Sequence, residues 1–171
     1  MKITNKTNEY REKMRLGCIS EFGETDPEFV EIFENFAFDE VVNQDDLDDK
    51  TRFMAIIATL IGCQGIDIYK DILPVALNFE VTPIEVKEIV YQAVAYLGMA
   101  RVFPFLKATN EILKCRGIKL PLEGQSTTNR ENRRESGTKV QVDIFGDNMK
   151  DFWKSGPEEK RHINYWLAAN C

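Results

Sequence analysis

The feature that most constrains this chain is a ten-residue segment, 54–63, whose side chains are almost all apolar: Met-Ala-Ile-Ile-Ala-Thr-Leu-Ile-Gly-Cys. A helix built from this segment presents hydrocarbon on every face, so we expect it to be buried all round, either in a core or between subunits. Further along, Thr82-Pro83-Ile84-Glu85 is a capping box with Pro at the first helical position, and apolar residues follow at 86, 89, 90, 93, 94 and 97. Together these segments predict a densely packed helical unit.

Further helices are predicted on both sides of this pair. The predicted segments are 5–20, a helix started by Asp26-Pro27-Glu28, an acidic start at 45–49 for the apolar helix, 66–78 with a kink or an end at Pro74, and Arg101–Cys115 closed by Gly117. The first 120 residues contain no strand pattern of alternating polarity. The sequence therefore predicts an all-α fold.

The composition divides the chain into three parts. Residues 125–136 contain no aliphatic side chain, so they cannot contribute to a core and are typical of a mobile linker. We therefore predict a helical domain over 1–116, a polar linker over 117–137 and a helical C-terminal arm over 138–171.

A short internal repeat suggests what the arm is. Phe22-Gly23-Glu24 matches Phe145-Gly146-Asp147 at an offset of 123 residues, and a second Phe follows seven residues later in both places. Adding this offset to Leu47, where the apolar unit begins, gives Asn170. The arm is thus predicted to be the start of a truncated second repeat, and whether Cys171 is the natural end of the chain stays open.

Charge is distributed unevenly along the chain. The net charge of −6 argues against nucleic-acid binding, which needs a positive surface. Between Glu21 and Asp49 there are twelve acidic residues and no Lys or Arg, whereas basic residues gather in 130–139 and at 160–161. These are either two solvated faces or segments that meet between subunits.

Cysteine and histidine usage predicts neither a metal nor a cofactor. Cys18, Cys63, Cys115 and Cys171 are far apart, and the single histidine, His162, lies near no pair of them. The chain has no apolar run long enough to cross a membrane and no apolar leader segment, so we expect a cytoplasmic protein with free thiols.

The order of several short segments resembles the carboxymuconolactone decarboxylase family, which includes the alkylhydroperoxidase D-like proteins. The resemblance spans roughly residues 40–115 and rests on 47–52 (Leu-Asp-Asp-Lys-Thr-Arg), the small-residue helix after it, 75–78 (Val-Ala-Leu-Asn), 82–88 (Thr-Pro-Ile-Glu-Val-Lys-Glu) and 93–98 (Ala-Val-Ala-Tyr-Leu-Gly). It implies an alkylhydroperoxidase D-like helical bundle that assembles into trimers or hexamers. Because many members carry two copies per chain, it also implies that this chain holds a first repeat and the lead-in to a second.

The peroxidase branch of the family implies catalytic side chains that this sequence lacks. Its members use two cysteines separated by two residues, a histidine further along that helix and a glutamate on the preceding one. Cys63 holds the place of the first cysteine, but Ile66 stands at the second and Lys70 at the histidine. Without a second thiol the disulfide of a dithiol reduction cannot close.

The decarboxylase branch aligns better through 76–78 (Ala-Leu-Asn), and its proton chemistry is missing as well. In that alignment Ile72 stands at the histidine position, and Phe53 stands where a carboxylate is expected. Neither side chain can exchange a proton near neutral pH. We expect both to fill the ancestral pocket with hydrocarbon.

Three functions follow from this resemblance and its gaps. The favoured one is a non-catalytic assembly or ligand-binding module. The second is a peroxiredoxin-type, thiol-dependent activity through Cys63 alone. The competing interpretation is that Cys63 is a small hydrophobic residue buried in the fold. The third is a small lactone or acid decarboxylase using Glu85 or Glu88. Lys70 with Asp71 is interpreted as solvated surface and His162 as a subunit contact.

The hydrocarbon in this chain also predicts a homo-oligomer. A helix that is apolar on all faces and an aromatic C-terminal segment expose more hydrocarbon than a monomer tolerates. We therefore expect a closed oligomer, a trimer or a hexamer, in which residues 138–171 pack across a subunit boundary, and we expect no nucleic-acid or membrane partner.

Overall fold

Helices make up all the regular secondary structure of the described residues, and no strand occurs among them. The structure is a computed structural model that describes residues 2–14, 22–44 and 46–169. Its α-helices are α1 (Asn5–Met14), α2 (Phe22–Thr25), α3 (Pro27–Asn35), α4 (Asp49–Gly62), α5 (Ile66–Asn78), α6 (Pro83–Leu97), α7 (Met99–Cys115), α8 (Arg133–Phe145) and α9 (Arg161–Ala169). The prediction of an all-α fold is confirmed, whereas the helix expected over 15–20, with Cys18, lies outside the described residues.

The chain divides into two compact units. The first unit is Met1–Leu122 and the second is Glu123–Cys171. Helix α8 begins at Arg133, inside the stretch predicted as a polar linker, so residues 133–137 are helical.

The core of the first unit is built around one face of α4. Phe53, Ile57 and Ile61 follow one another at four-residue intervals and are fully buried. This face packs against α5 and α6. On other faces of α4, Ala55 and Ala58 are exposed. Within one copy of the chain, therefore, α4 is not buried on all faces. The prediction that a core within one copy buries this helix all round is wrong.

Local signals in the sequence set the helix boundaries. The side chain of Asp48 accepts a hydrogen bond from the Thr51 N–H (2.9 Å) at the start of α4. The capping box at Thr82 is present, and Gly98, with φ +80°, separates α6 from α7. Helix α7 begins at Met99, two residues before the predicted start, and ends before Gly117 as expected. Pro74 lies inside α5 without ending it.

Part of the acidic segment is neutralised by α1. The carboxylate of Glu34 is fully buried and lies 3.1 Å from the Arg11 guanidinium, and Asp39 pairs with Lys6 at 3.7 Å. Asp49 accepts a hydrogen bond of 2.7 Å from the Tyr10 hydroxyl. The interpretation of this segment as a solvated face is therefore wrong for Glu34, whereas the carboxylates of Asp39 and Asp49 stay partly exposed.

The second unit combines α8 and α9 with three 3₁₀ turns, Asp147–Met149, Phe152–Lys154 and Glu158–Lys160. Trp153 in the second turn meets the ring of Tyr165 of α9 edge-on at 6.2 Å. Gly146 takes φ +95° after α8, whereas Gly23 lies inside α2. The two halves of the internal repeat thus differ in backbone conformation, and the repeat itself stays a prediction.

The first prediction concerns the start of α6. The Glu85 carboxylate accepts hydrogen bonds from Lys50 Nζ (2.8 Å) and the Thr82 N–H (2.7 Å), and these partners, Lys50 first, hold its pKa below the usual range. Glu85→Gln should lower the free energy of unfolding by about 1 kcal/mol at neutral pH. Since the folded-state pKa is lowered, this difference should persist above a pH of about 4.3 and disappear as the pH falls through the lower folded value.

Urea unfolding of both proteins across this pH range measures the effect. Asp71→Asn is the matched control, because it removes an exposed carboxylate of α5 that has no capping or ion-pair partner among the described residues. A wild-type to Glu85→Gln difference that stays constant down to a pH of about 2 would contradict the assignment.

Candidate functional site

The two positions aligned with decarboxylase catalysis lie in hydrocarbon. Phe53 on α4 is 2% exposed, and its ring stacks on Phe79 with the centroids 4.7 Å apart. Ile72 on α5 is half-buried and packs against the same core. Both side chains therefore pack in the hydrophobic core, and neither carries a group that could transfer a proton.

The three positions aligned with peroxidase catalysis lie at the turn from α4 to α5 and on α5. Cys63 follows the last residue of α4 and is exposed. Ile66 is half-buried at the first position of α5, and Lys70 is exposed one turn later. Lys70 lies 3.6 Å from Asp67 of the same helix, and Lys70 and Asp71 are both exposed, in agreement with their interpretation as solvated surface.

Cys63 is not the buried hydrophobe that the sequence indicated. Its thiol donates a hydrogen bond of 3.6 Å to the Leu60 carbonyl oxygen, a bond that only the protonated thiol can donate. The chain then turns sharply through Gln64, whose φ is +62°. At Gly65 an added Cβ would lie 3.2 Å from Leu60 Cδ2, a tight contact, and 3.5 Å from Cys63 Sγ, an ordinary one, so a larger residue would press on Leu60 and only touch the thiol. Cys63 is thus accessible to solvent, and its thiol is hydrogen-bonded to the last turn of α4.

An apolar groove of about 490 Å³ lies between α4 and α6. We call it the α4–α6 groove; its lining residues are Ala58, Ile61 and Gly62 of α4, and Glu88, Ile89, Gln92, Ala93, Tyr96 and Leu97 of α6. None of the five positions aligned with family catalysis lines it. A signal for this groove was present in the sequence, because small residues lie four apart on α4 at Ala58 and Gly62.

The two carboxylates considered for a decarboxylase have different roles. Glu85 is bound in the capping box and to Lys50, which makes it a structural group. Glu88, one turn further along α6, lines the α4–α6 groove together with Gln92. A carboxylate and an amide against hydrocarbon walls can orient a ligand, but a decarboxylase also needs a group that returns a proton to the product.

A buried hydroxyl pair was not anticipated from the sequence. Tyr69 and Thr109 lie 2.6 Å apart between α5 and α7, and the Thr109 hydroxyl donates to the Phe105 carbonyl oxygen (2.8 Å). Tyr69 is therefore the donor to Thr109. Burial raises the pKa of Tyr69 to about 12, so this phenol keeps its proton near neutral pH and ties α5 to α7.

The comparison with known families identifies the first unit. The model of the carboxymuconolactone decarboxylase family matches residues 27–111, which run from the start of α3 into α7. This part of the chain belongs to the carboxymuconolactone decarboxylase family. No curated protein and no solved structure gives a significant match to the chain. The family prediction is thus confirmed, and the matched range includes every position aligned above with family catalysis.

Two further findings hold for the described part of this family member. Across residues 2–14, 22–44 and 46–169, no three His, Cys, Asp or Glu side chains come together in a way that could hold a metal ion. Within the same ranges, no helix has the length and apolar character needed to cross a bilayer.

The second prediction tests the packing at the family's carboxylate position. Phe53→Ala should lower the free energy of unfolding by about 3–5 kcal/mol, because it leaves a cavity beside Phe79. The matched control is Phe36→Ala, directly after α3, where the ring is 56% exposed and the loss should stay within about 0.5 kcal/mol. Equal losses in the two variants, measured by urea unfolding, would show that Phe53 is not a core residue.

Proposed function

We propose that this chain is a non-catalytic member of the carboxymuconolactone decarboxylase family that acts as an assembly module. The α4–α6 groove is the surface that a second copy covers. The observation that carries this proposal is the groove itself, which is open, lined by hydrocarbon and separate from Cys63, Phe53 and Ile72.

The chemistry of the former catalytic positions supports a non-catalytic role. A lactone decarboxylase needs an acid or base near the working pH, and a dithiol peroxidase needs two thiols in reach of one another. Phe53 and Ile72 supply neither, and Ile66 stands at the position of the resolving cysteine. Hydrocarbon at these positions stabilises the fold by burial and leaves binding as the function.

The amount of exposed hydrocarbon supports assembly. Tyr96, which lines the groove, is 87% exposed, and Met99 and Phe103 on the next helix are 48% and 57% exposed. Aromatic and Met side chains are enriched at the centres of subunit interfaces. A second copy that covers this surface would complete the burial of α4 that its apolar sequence predicts.

The second unit supports the same proposal by itself. Helix α9 exposes Ile163 (45%), Trp166 (57%) and Leu167 (52%), so its apolar side also needs a partner surface. In the proposed trimer or hexamer, residues 138–171 contact a neighbouring subunit, and His162, whose ring lies 4.8 Å from that of Trp166, is part of this contact.

The third prediction is that Ala58→Glu dissociates the oligomer. Ala58 lines the groove and is exposed within one copy of the chain, so the substitution leaves the fold intact. In the assembled state the new carboxylate would be buried without a partner, which costs several kcal/mol. Light scattering should show a discrete oligomer for the wild type and a monomer for Ala58→Glu.

Thr127→Glu is the matched control. Thr127 is exposed and lies outside the groove and outside residues 138–171, so this variant should keep the wild-type mass. A monodisperse wild-type monomer at micromolar concentration would overturn the proposal. An Ala58→Glu protein with the oligomer mass of the wild type would also overturn the proposal.

A thiol activity at Cys63 is the second candidate, because the thiol is exposed. In such a reaction the Cys63 thiolate would attack the peroxide, form a sulfenic acid and release water or an alcohol. An external dithiol would then reduce the sulfenic acid and leave as a disulfide. Cys115, also exposed, lies at the end of α7 and offers a control thiol.

The fourth prediction separates the two candidates. We expect peroxide consumption with an added dithiol to be equal in the wild type, Cys63→Ser and Cys115→Ser, since the module is non-catalytic. A loss confined to Cys63→Ser would establish the second candidate in its place. Titration of the native protein with a thiol reagent at about pH 8 provides an independent test, because a Cys63 that fails to react there excludes the thiol activity.

A further inference from the structure

The second unit contains a pocket of about 360 Å³ whose lining includes none of the exposed apolar residues of α9. It is lined by residues of α8 and of the turns that follow: Arg134, Glu135, Thr138, Lys139, Val142, Lys150 and Trp153. Three cations and one carboxylate give this lining a formal charge of +2, in a chain whose net charge is −6. We propose that the pocket binds the oxyanion group, phosphate or carboxylate, of a small molecule.

Arg134 is the residue that would hold the oxyanion. Its guanidinium carbon lies 4.4 Å from the centre of the Trp153 ring, and among the described residues it has no carboxylate partner. Stacking on Trp153 restricts the guanidinium plane and leaves the N–H groups at its edge free to donate. A planar guanidinium in this arrangement is suited to bidentate hydrogen bonds with a phosphate or a carboxylate.

The two lysines of the pocket would add charge to the same group. Lys139 pairs with Asp143, and Lys150 lies 2.9 Å from Asp147. All four side chains are more than half exposed, and such surface pairs contribute at most about 1 kcal/mol. Either ammonium can therefore exchange its aspartate for an oxyanion at small cost.

Thr138 is a further candidate to bind the oxyanion. It lines the pocket, yet its hydroxyl oxygen is buried and has no hydrogen-bond partner. The Thr138 atoms that line the pocket are therefore carbon atoms. Threonine in a helix occupies two χ1 rotamers, and the change from one to the other moves the hydroxyl to the other side of the side chain. Donation to a bound oxyanion would remove the unfavourable state of an unpaired buried hydroxyl.

Trp153 provides the readout for the test. The chain has two tryptophans, so Trp166→Phe leaves Trp153 as the only indole. In this background, fluorescence should change saturably when inorganic phosphate or citrate is added, and it should not change with sodium chloride at the same ionic strength. A response to phosphate alone assigns a phosphate ligand, and a response to citrate alone assigns a carboxylate.

Substitutions connect the response to the pocket. Arg134→Gln should weaken binding about tenfold or more, the loss expected for charge-assisted hydrogen bonds. Thr138→Val should weaken it as well, because the variant keeps the shape and removes the hydroxyl. Lys160→Gln, in the same unit but outside the pocket, is the matched control and should bind like the background protein.

Three results would overturn the proposal. The first is the absence of a fluorescence response to either anion. The second is an equal loss of binding in Arg134→Gln and Lys160→Gln, which would mean nonspecific charge attraction. The third is an oligomer mass that falls in Arg134→Gln without added anion. That result would identify the pocket as a contact for carboxylates of a second copy, and circular dichroism of Arg134→Gln would confirm that the variant is folded.

Discussion

The packing of one face of α4 is the interaction on which the rest of the first unit depends. Phe53, Ile57 and Ile61 are fully buried against α5 and α6, and each such side chain stabilises the fold by about 1.5–3 kcal/mol. Since a helix has only one orientation that buries this row, the orientation also determines which residues face outward. Ala58 and Gly62 then line the α4–α6 groove. The same rotation therefore removes Phe53, the position aligned with the family's carboxylate, from solvent and leaves an open apolar groove between α4 and α6.

Helix boundaries could be predicted from the sequence because each is decided within one or two turns. Thr82 and Glu85 satisfy each other's backbone N–H groups, and Gly98 and Gly117 adopt positive φ, which few other residues do easily. These interactions need no distant partner. The sequence therefore contained enough information to place the ends of α6 and the end of α7, and the family match adds that their order along the chain is that of a known fold.

Burial depends on distant partners, and there the sequence was misleading. Cys63 is apolar and lies in an apolar segment, yet the turn through Gln64 leaves it exposed. Glu34 belongs to a run of carboxylates, yet Arg11, twenty-three residues earlier, allows it to be fully buried. Neither outcome follows from composition, because the first depends on the turn between α4 and α5 and the second on how α1 lies against α3.

The polar stretch before α8 shows a different kind of failure. It lacks aliphatic side chains, which correctly indicates that it cannot build a core, but a helix can also begin with side-chain hydrogen bonds. Asn129 and Asn132 bind each other's backbone N–H groups, at 2.8 and 3.1 Å, immediately before Arg133. Asparagine favours such turns and helix starts. A count of hydrophobic residues does not detect this signal, which starts α8 inside the stretch predicted as a polar linker.

For the proposed non-catalytic family member, the placement of Phe53 also limits how the family's chemistry could be recovered. Phe53→Glu would put a carboxylate against the ring of Phe79, in a site that is 2% exposed. A buried carboxylate without a partner binds a proton or unfolds the protein, so it would not become a working base. Its expected histidine partner would have to replace Ile72, which packs against the same core. The two changes would have to occur together with an opening of the core between α4 and α5. Proton chemistry and packing thus compete for the same volume in this protein, and the hydrophobic core occupies it.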